Sequence, residues 1–190
     1  EKVISGIIEA KKNDIKIKIN TVAIKNFNEN ELEELIIWAN KLDIDLTFIE
    51  VMPMEETDTM RYAQFAPLDE IFNQLNKKFN FEKSDQNTGG PATYYTSKII
   101  SNKIGFITPI TNNFCASCNR VRITSTGKLF MCLGQNDYVD FREILRGDYS
   151  NDYIKKKINY ALKIKPKKHD FLIEENSKSY MQRHMNVTGG

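Results

Sequence analysis

The sequence predicts an α/β fold: a βαβ unit at the N-terminal end, followed by a smaller α+β region built around three cysteines. Three observations carry this. Hydrophobic periodicity switches from helix to strand, to helix and to strand again within residues 1–52. Turn signals then break the remaining chain into short strands and helices. All three cysteines, Cys115, Cys118 and Cys132, fall within one short stretch of that second region.

Val3, Ile4, Ile7, Ile8 and Lys11 follow helical spacing, so 1–13 reads as a helix ended by the turn residues Asn13-Asp14. Residues 15–24 (IKIKINTVAI) alternate with the period of a strand. Asn28 is the expected N-cap of the next helix, with Glu31 three residues on as in a capping box. That helix runs to about Leu42, its apolar side carried by Leu32, Leu35, Ile36 and Ala39. Residues 44–52 (IDLTFIEVM) are more continuously apolar, as suits a strand covered on both faces. The order predicts a parallel sheet with its ligand site at the strand C-terminal ends, near Thr21–Ile24 and Glu50–Met52. Two parallel strands cannot close a barrel or protect both sheet edges. The chain also begins without Met, inside a helical pattern. Earlier βα units are therefore expected upstream.

Pro53–Phe65 reads as a polar loop, and Pro67 as part of the first turn of a helix running to about Phe79. Strands are expected at 79–83 and 92–98 about Gly89-Gly90-Pro91, and at 103–108. The Gly-Gly-Pro run is read as a turn, with a partner surface as the alternative. The loop Pro109–Asn119 carries two cysteines. Arg120–Thr124 and Lys128–Cys132 form a hairpin about Thr126-Gly127, with helices at about 140–146 and 151–164 after it. The tail, 165–190, is basic and polar and ends Gly189-Gly190.

Composition bounds the function. With 41% hydrophobic and 27% charged residues in 190, the chain is ordinary globular material. No apolar run approaches the roughly 18 residues of a membrane span, and the opening residues carry no secretory signal. The expected location is cytoplasmic, without a membrane partner. A net charge of +2 is too small to imply nucleic-acid binding. Its distribution is uneven: residues 1–111 carry −4 and residues 112–190 carry +6. The second part is thus the expected host of an anionic ligand, although the run Lys155-Lys156-Lys157 reads as a solvated helix face.

An odd, clustered set of cysteines does not suit a disulfide framework and suits a metal or cluster site kept reduced. A CxxC loop aims two thiolates at one centre, and the hairpin brings Cys132 back beside them. Structural zinc wants four protein ligands, and the two histidines, His169 and His184, lie in the tail. An iron–sulfur cluster can be held by three cysteines, leaving one iron open. Three packed, unligated thiols are the alternative. Arg120 and Arg122 follow directly, two of only six arginines against 21 lysines. Alternate residues of a strand share a face. Two guanidinium forks there suit phosphate oxygens; surface ion pairs are the competing reading.

FCASCNRVRITSTGKLFMCLGQ at 114–135 strongly resembles the C-terminal cluster segment of the molybdenum cofactor biosynthesis protein A family, the GTP 3′,8-cyclases of the radical S-adenosylmethionine enzymes. The likeness extends through IKINTV at 17–22, FIEVMPM at 48–54, GGPATYY at 89–95, IGFITPIT at 104–111 and RHMNVTGG at 183–190. It implies that 1–55 is the end of a partial (β/α) radical-SAM barrel and 56–190 a cluster- and GTP-binding region. It implies a [4Fe-4S] cluster on Cys115, Cys118 and Cys132 whose open iron faces the purine. It implies substrate contacts from Lys18, Arg120, Val121 and Arg122, a contact of Met52 with S-adenosylmethionine, and a catalytic role for the Gly189-Gly190 tail. Without the resemblance, Lys18 is the polar face of a strand, Met52 a core residue and Gly189-Gly190 a frayed end.

The activity implied is conversion of GTP to 3′,8-cyclo-7,8-dihydro-GTP, started by a radical generated from S-adenosylmethionine at an N-terminal CxxxCxxC cluster. No such motif occurs in these residues, so an N-terminal barrel segment is an expected partner and the chain alone is expected to be inactive. Thr47 stands where many family members carry arginine. A homodimer is left open. The other class of function is a non-catalytic binding module with a structural zinc or iron–sulfur site.

Overall fold

The computed structural model describes residues 1–53, 61–86, 89–169, 171, 173 and 187. They confirm an α/β fold. Its elements are α1 (Lys2–Lys12), β1 (Lys18–Ala23), α2 (Leu32–Lys41), β2 (Asp45–Glu50), α3 (Arg61–Gln64), α4 (Leu68–Phe79), β3 (Glu82–Lys83), β4 (Thr93–Thr96) and β5 (Ile104–Ile107). A single 3₁₀ turn at Cys115–Ser117 follows, then β6 (Arg122–Ile123), β7 (Lys128–Phe130), β8 (Tyr138–Asp140), α5 (Arg142–Arg146) and α6 (Asn151–Lys163). The chain divides into two compact units. One comprises 1–51 and 63–113; the other comprises the described residues within 52–62 and 114–190.

The first unit is a five-stranded sheet in the order β1-β2-β5-β4-β3. Strands β1, β2 and β5 are parallel, whereas β4 and β3 run antiparallel. The expectation of a parallel sheet therefore holds for three strands only. A parallel crossover needs a dozen or more residues, and only 97–103 separate β4 from β5. So short a connection returns the chain antiparallel.

One face of this sheet carries the core. Leu46, Phe48, Ile104 and Phe106 pack against Leu32, Ile36 and Ala39 of α2 and Leu68, Ile71, Leu75 and Phe79 of α4. These helical positions recur at three- and four-residue steps, which is why each helix buries one side. Trp38, the only tryptophan of the chain, is partly buried against the same core. Phe72, Phe81 and Tyr95 close it with Phe106, their ring centroids 4.7–6.3 Å apart.

Two capping expectations are corrected. Glu31, not Asn28, is the N-cap of α2. Asn28 instead ties off the end of β1: its Oδ1 accepts from Ile24 N–H at 2.8 Å and its Nδ2 donates to the Val22 carbonyl at 2.9 Å. A side chain able to mimic backbone is used where backbone partners run out. Pro67 is the N-cap of α4 rather than part of its first turn. Its extended ψ of 118° lets the helix begin at Leu68.

The buried Glu50 at the end of β2 explains how α4 is held. Its carboxylate accepts from the backbone N–H of Leu68 (3.3 Å), Ile110 (2.8 Å) and Thr111 (3.2 Å), and from the Thr111 hydroxyl. The positive end of the α4 dipole faces this charge. One side chain thus joins a strand end, a helix start and the loop after β5.

The opposite sheet face carries a row in register: Asn20, Thr47, Gly105 and Tyr94. Gly105 is where β5 must lack a side chain. A Cβ there would lie 2.7 Å from Thr47 Oγ1 and 3.0 Å from Tyr94 Cε1. Glycine in a strand interior marks such close approaches. We expect Gly105→Ala to cost about 1–3 kcal/mol through overpacking, read as a lower urea midpoint. An unchanged midpoint would mean that the row has room to spare.

The second unit is an antiparallel sheet, β6-β7-β8. Gly127 adopts φ +84° in the β6–β7 turn, a conformation that glycine tolerates without penalty. Thr124 closes the turn, its hydroxyl accepting from Lys128 N–H at 3.1 Å. Strand β8 has no counterpart in the sequence reading; three residues are too few for periodicity to show. Phe130, Met131, Phe141 and Ala161 are buried here. Ser150 caps α6 through Tyr153 N–H.

Residues 54–60 of the expected polar loop lie outside the described residues, and its far end forms the short helix α3. Among the described residues, no helix is long and apolar enough to cross a membrane.

Candidate functional site

The candidate site lies in the second unit. Cys115 opens the 3₁₀ turn and Cys118 follows it, the Cys118 N–H bonding back to the Cys115 carbonyl at 3.1 Å. The turn folds the CxxC spacing into one loop. Cys132 follows β7, which pairs with β6 directly beyond that loop. None of the three forms a disulfide among the described residues, and all are half-buried. Burial pushes the Cys132 thiol above its usual value, opposed by the Gly134 N–H and the Lys165 ammonium. The Cys115 and Cys118 sulfurs add to the upward push. Cys132 Sγ therefore lies near enough to the other two sulfurs to feel their charge.

Among the described residues, no three His, Cys, Asp or Glu side chains are gathered closely enough to hold one metal ion. A tetrahedral zinc needs its sulfurs all within about 2.3 Å of one point. A cube of four irons spreads its thiolates farther apart and can be held by three of them. Three neighbouring thiols, with no fourth donor gathered to them among the described residues, fit that second chemistry.

Arg122 begins β6 and is half-buried, whereas Arg120 and Val121 are exposed just before the strand. The expected strand over Arg120–Thr124 is thus shorter, at Arg122–Ile123. Burial lowers the Arg122 pKa, and the neighbouring Arg120 charge lowers it further. The Cys118 and Cys132 sulfurs act in the opposite sense. The structure therefore places Arg120, Cys118 and Cys132 in the electrostatic neighbourhood of Arg122. Two guanidinium groups held near each other repel, and an anion between them relieves that repulsion.

Lys18 lies in the first unit and opens β1. It stands at the N-terminal end of its strand, not the C-terminal end where the sequence reading looked for a site. Its Nζ donates to Tyr94 Oη at 3.1 Å and lies 5.8 Å from the ring centroid. Tyr94 is 2% exposed and reaches Lys18 across Gly105. Thr47 is fully buried in the middle of β2, and its Oγ1 makes no hydrogen bond among the described residues. Met52, two residues beyond β2, is half-buried. Gly189 and Gly190 lie outside the described residues.

Sequence reasoning missed Lys165. It reads as part of a basic tail, yet its Nζ bonds the carbonyls of Arg120 (2.8 Å) and Met131 (2.6 Å) and sits 3.9 Å from Cys118 Sγ. The available signal was the proline after it, which ends α6 and turns the lysine out of the helix.

Fold and site define an α/β protein with a three-thiol centre in cationic surroundings. The chain belongs to the family described as Molybdenum Cofactor Synthesis C, which it matches over residues 44–171. It is similar to the GTP 3′,8-cyclases of Brucella ovis, Brucella canis and Brucella suis, each 46% identical over all 190 residues. The chain spans 55% of the length of these curated relatives.

Proposed function

We propose that this chain supplies the cluster- and GTP-binding part of a GTP 3′,8-cyclase in molybdenum cofactor biosynthesis. The whole enzyme would convert GTP to 3′,8-cyclo-7,8-dihydro-GTP by radical S-adenosylmethionine chemistry. The observation that carries the reading is the placement of three neighbouring thiols with Arg120 and Arg122 in one unit of a family member. A [4Fe-4S] cluster on Cys115, Cys118 and Cys132 would supply an open iron for the guanine base. Arg120 and Arg122 bind phosphate or purine oxygens through paired N–H groups, and Val121 lies between them.

Lys18, in the other unit, is proposed as a nucleotide contact from the resemblance, as are Met52 for S-adenosylmethionine and Gly189-Gly190 for catalysis. Residues 1–55 are proposed as the end of the barrel and 56–190 as the cluster region. A cytoplasmic location and pairing with a radical-initiating N-terminal segment complete the reading. Without that segment the chain does not turn GTP over.

Anaerobic reconstitution tests the centre. The chain is expected to turn brown and hold about four iron, and Cys132→Ala is expected to lose most of it. A colourless chain that takes zinc would instead favour a structural staple in a non-catalytic module.

A further inference from the structure

We infer that Lys165 is a positioning residue for the three-cysteine centre. Its ammonium clasps the Cys118 loop to the chain entering Cys132 and lays a fixed positive charge against the sulfurs. The inference rests on the cluster reading above but assigns a residue that reading does not use.

The two carbonyls that Lys165 holds belong to different segments. Arg120 follows Cys118 by two residues, and Met131 immediately precedes Cys132. These bonds, 2.8 and 2.6 Å long, fix the spacing of the backbone on either side of the site. The third neighbour is Cys118 Sγ at 3.9 Å. Among the described residues, no carboxylate forms an ion pair with this lysine. Its charge is met by carbonyl dipoles and sulfur. A solvated surface lysine would show no such set of partners, and Lys165 is half-buried.

A second, independent set of contacts holds the same segment in place. Gln135 Nε2 donates to the Lys168 carbonyl at 3.4 Å. The His169 and Phe171 rings are 4.7 Å apart, and the Phe171 ring and the His169 Cβ lie against Gly134. A Cβ on Gly134 would come within 2.8 Å of His169 Cβ and 3.0 Å of Phe171 Cζ. The stretch after α6 is therefore a strap along the chain that carries Cys132, with Lys165 as its fastening toward Cys118. Pro166 keeps the lysine out of α6, because the residue before proline is driven toward extended backbone.

Groups that orient ligands typically cost about 10–100-fold in metal affinity when removed. Charge and hydrogen bonds near the sulfurs also set a cluster's reduction potential. The test uses the anaerobically reconstituted chain as wild type, Lys165→Met and Lys165→Arg. Iron per chain, the rate of iron loss to a chelator and the cluster midpoint potential are measured, with far-UV circular dichroism of each apo chain. Lys165→Met is expected to fold, to lose iron at least about tenfold faster, and to show a more negative potential in what remains. Lys165→Arg is expected to recover the potential.

Wild-type retention and potential in Lys165→Met would overturn the inference while leaving the cluster reading intact. If Lys165→Met does not fold, Lys165→Arg decides. Near-native retention and potential support a positioning cation, and loss of both from a folded chain overturns it. A wild-type chain that takes no iron would overturn the cluster reading and this inference with it.

Discussion

GTP titrated into the reconstituted Arg120→Ala/Arg122→Ala chain is expected to bind roughly 10²–10⁴-fold more weakly than to wild type. Each charged hydrogen bond contributes about 1.5–3 kcal/mol net, and two are removed. The competing explanation, exposed ion pairs, would contribute about 0–1 kcal/mol each and leave GTP affinity unchanged. Two features favour the larger effect. Arg122 is half-buried, with its pKa lowered first by burial and next by Arg120. Neither arginine forms an ion pair among the described residues, so no carboxylate there offsets their mutual repulsion. The exposure of Arg120 argues for the lower part of the range. Superimposable titration curves for variant and wild type would remove the pair from the nucleotide site.

The largest stability effect is expected at Glu50. Glu50→Ala removes the acceptor shared by the N–H groups of Leu68, which is buried, Ile110, which is half-buried, and Thr111, which is exposed. The buried Leu68 donor left unpaired costs about 1–3 kcal/mol and the two more accessible donors add less, so a loss of about 2–3 kcal/mol is expected on urea unfolding. Glu50→Gln keeps the shape and one acceptor, and should lose less. A loss below about 1 kcal/mol for the alanine variant would mean that water or rearranged backbone serves those donors equally well.

The βαβ unit was legible because each element carries its own period: Leu32, Leu35, Ile36 and Ala39 at helical steps, then the apolar run from Ile44. The β6–β7 hairpin was legible because Gly127 has to sit where a positive φ is needed. The antiparallel direction of β3 and β4 was not legible in the periodicity, although the short 97–103 connection already ruled out a parallel crossover between β4 and β5. Asn28 was misassigned because a side chain that can cap a helix can equally close a strand end.

In the site, the cysteines and arginines announced themselves by spacing, and the structure adds their electrostatic coupling. Lys165 and Tyr94 did not, since their contacts join residues far apart in sequence. Gly105 within an apolar strand was the one local hint that something crosses the sheet there.

The solitary indole at Trp38 has a spectroscopic consequence. It belongs to the unit that contains the Glu50 junction, whereas the thiols belong to the other. Ultraviolet emission therefore follows the loss of one unit, and visible absorbance of any bound iron follows the other. Two colours in one denaturation experiment would reveal whether the halves melt together or in turn.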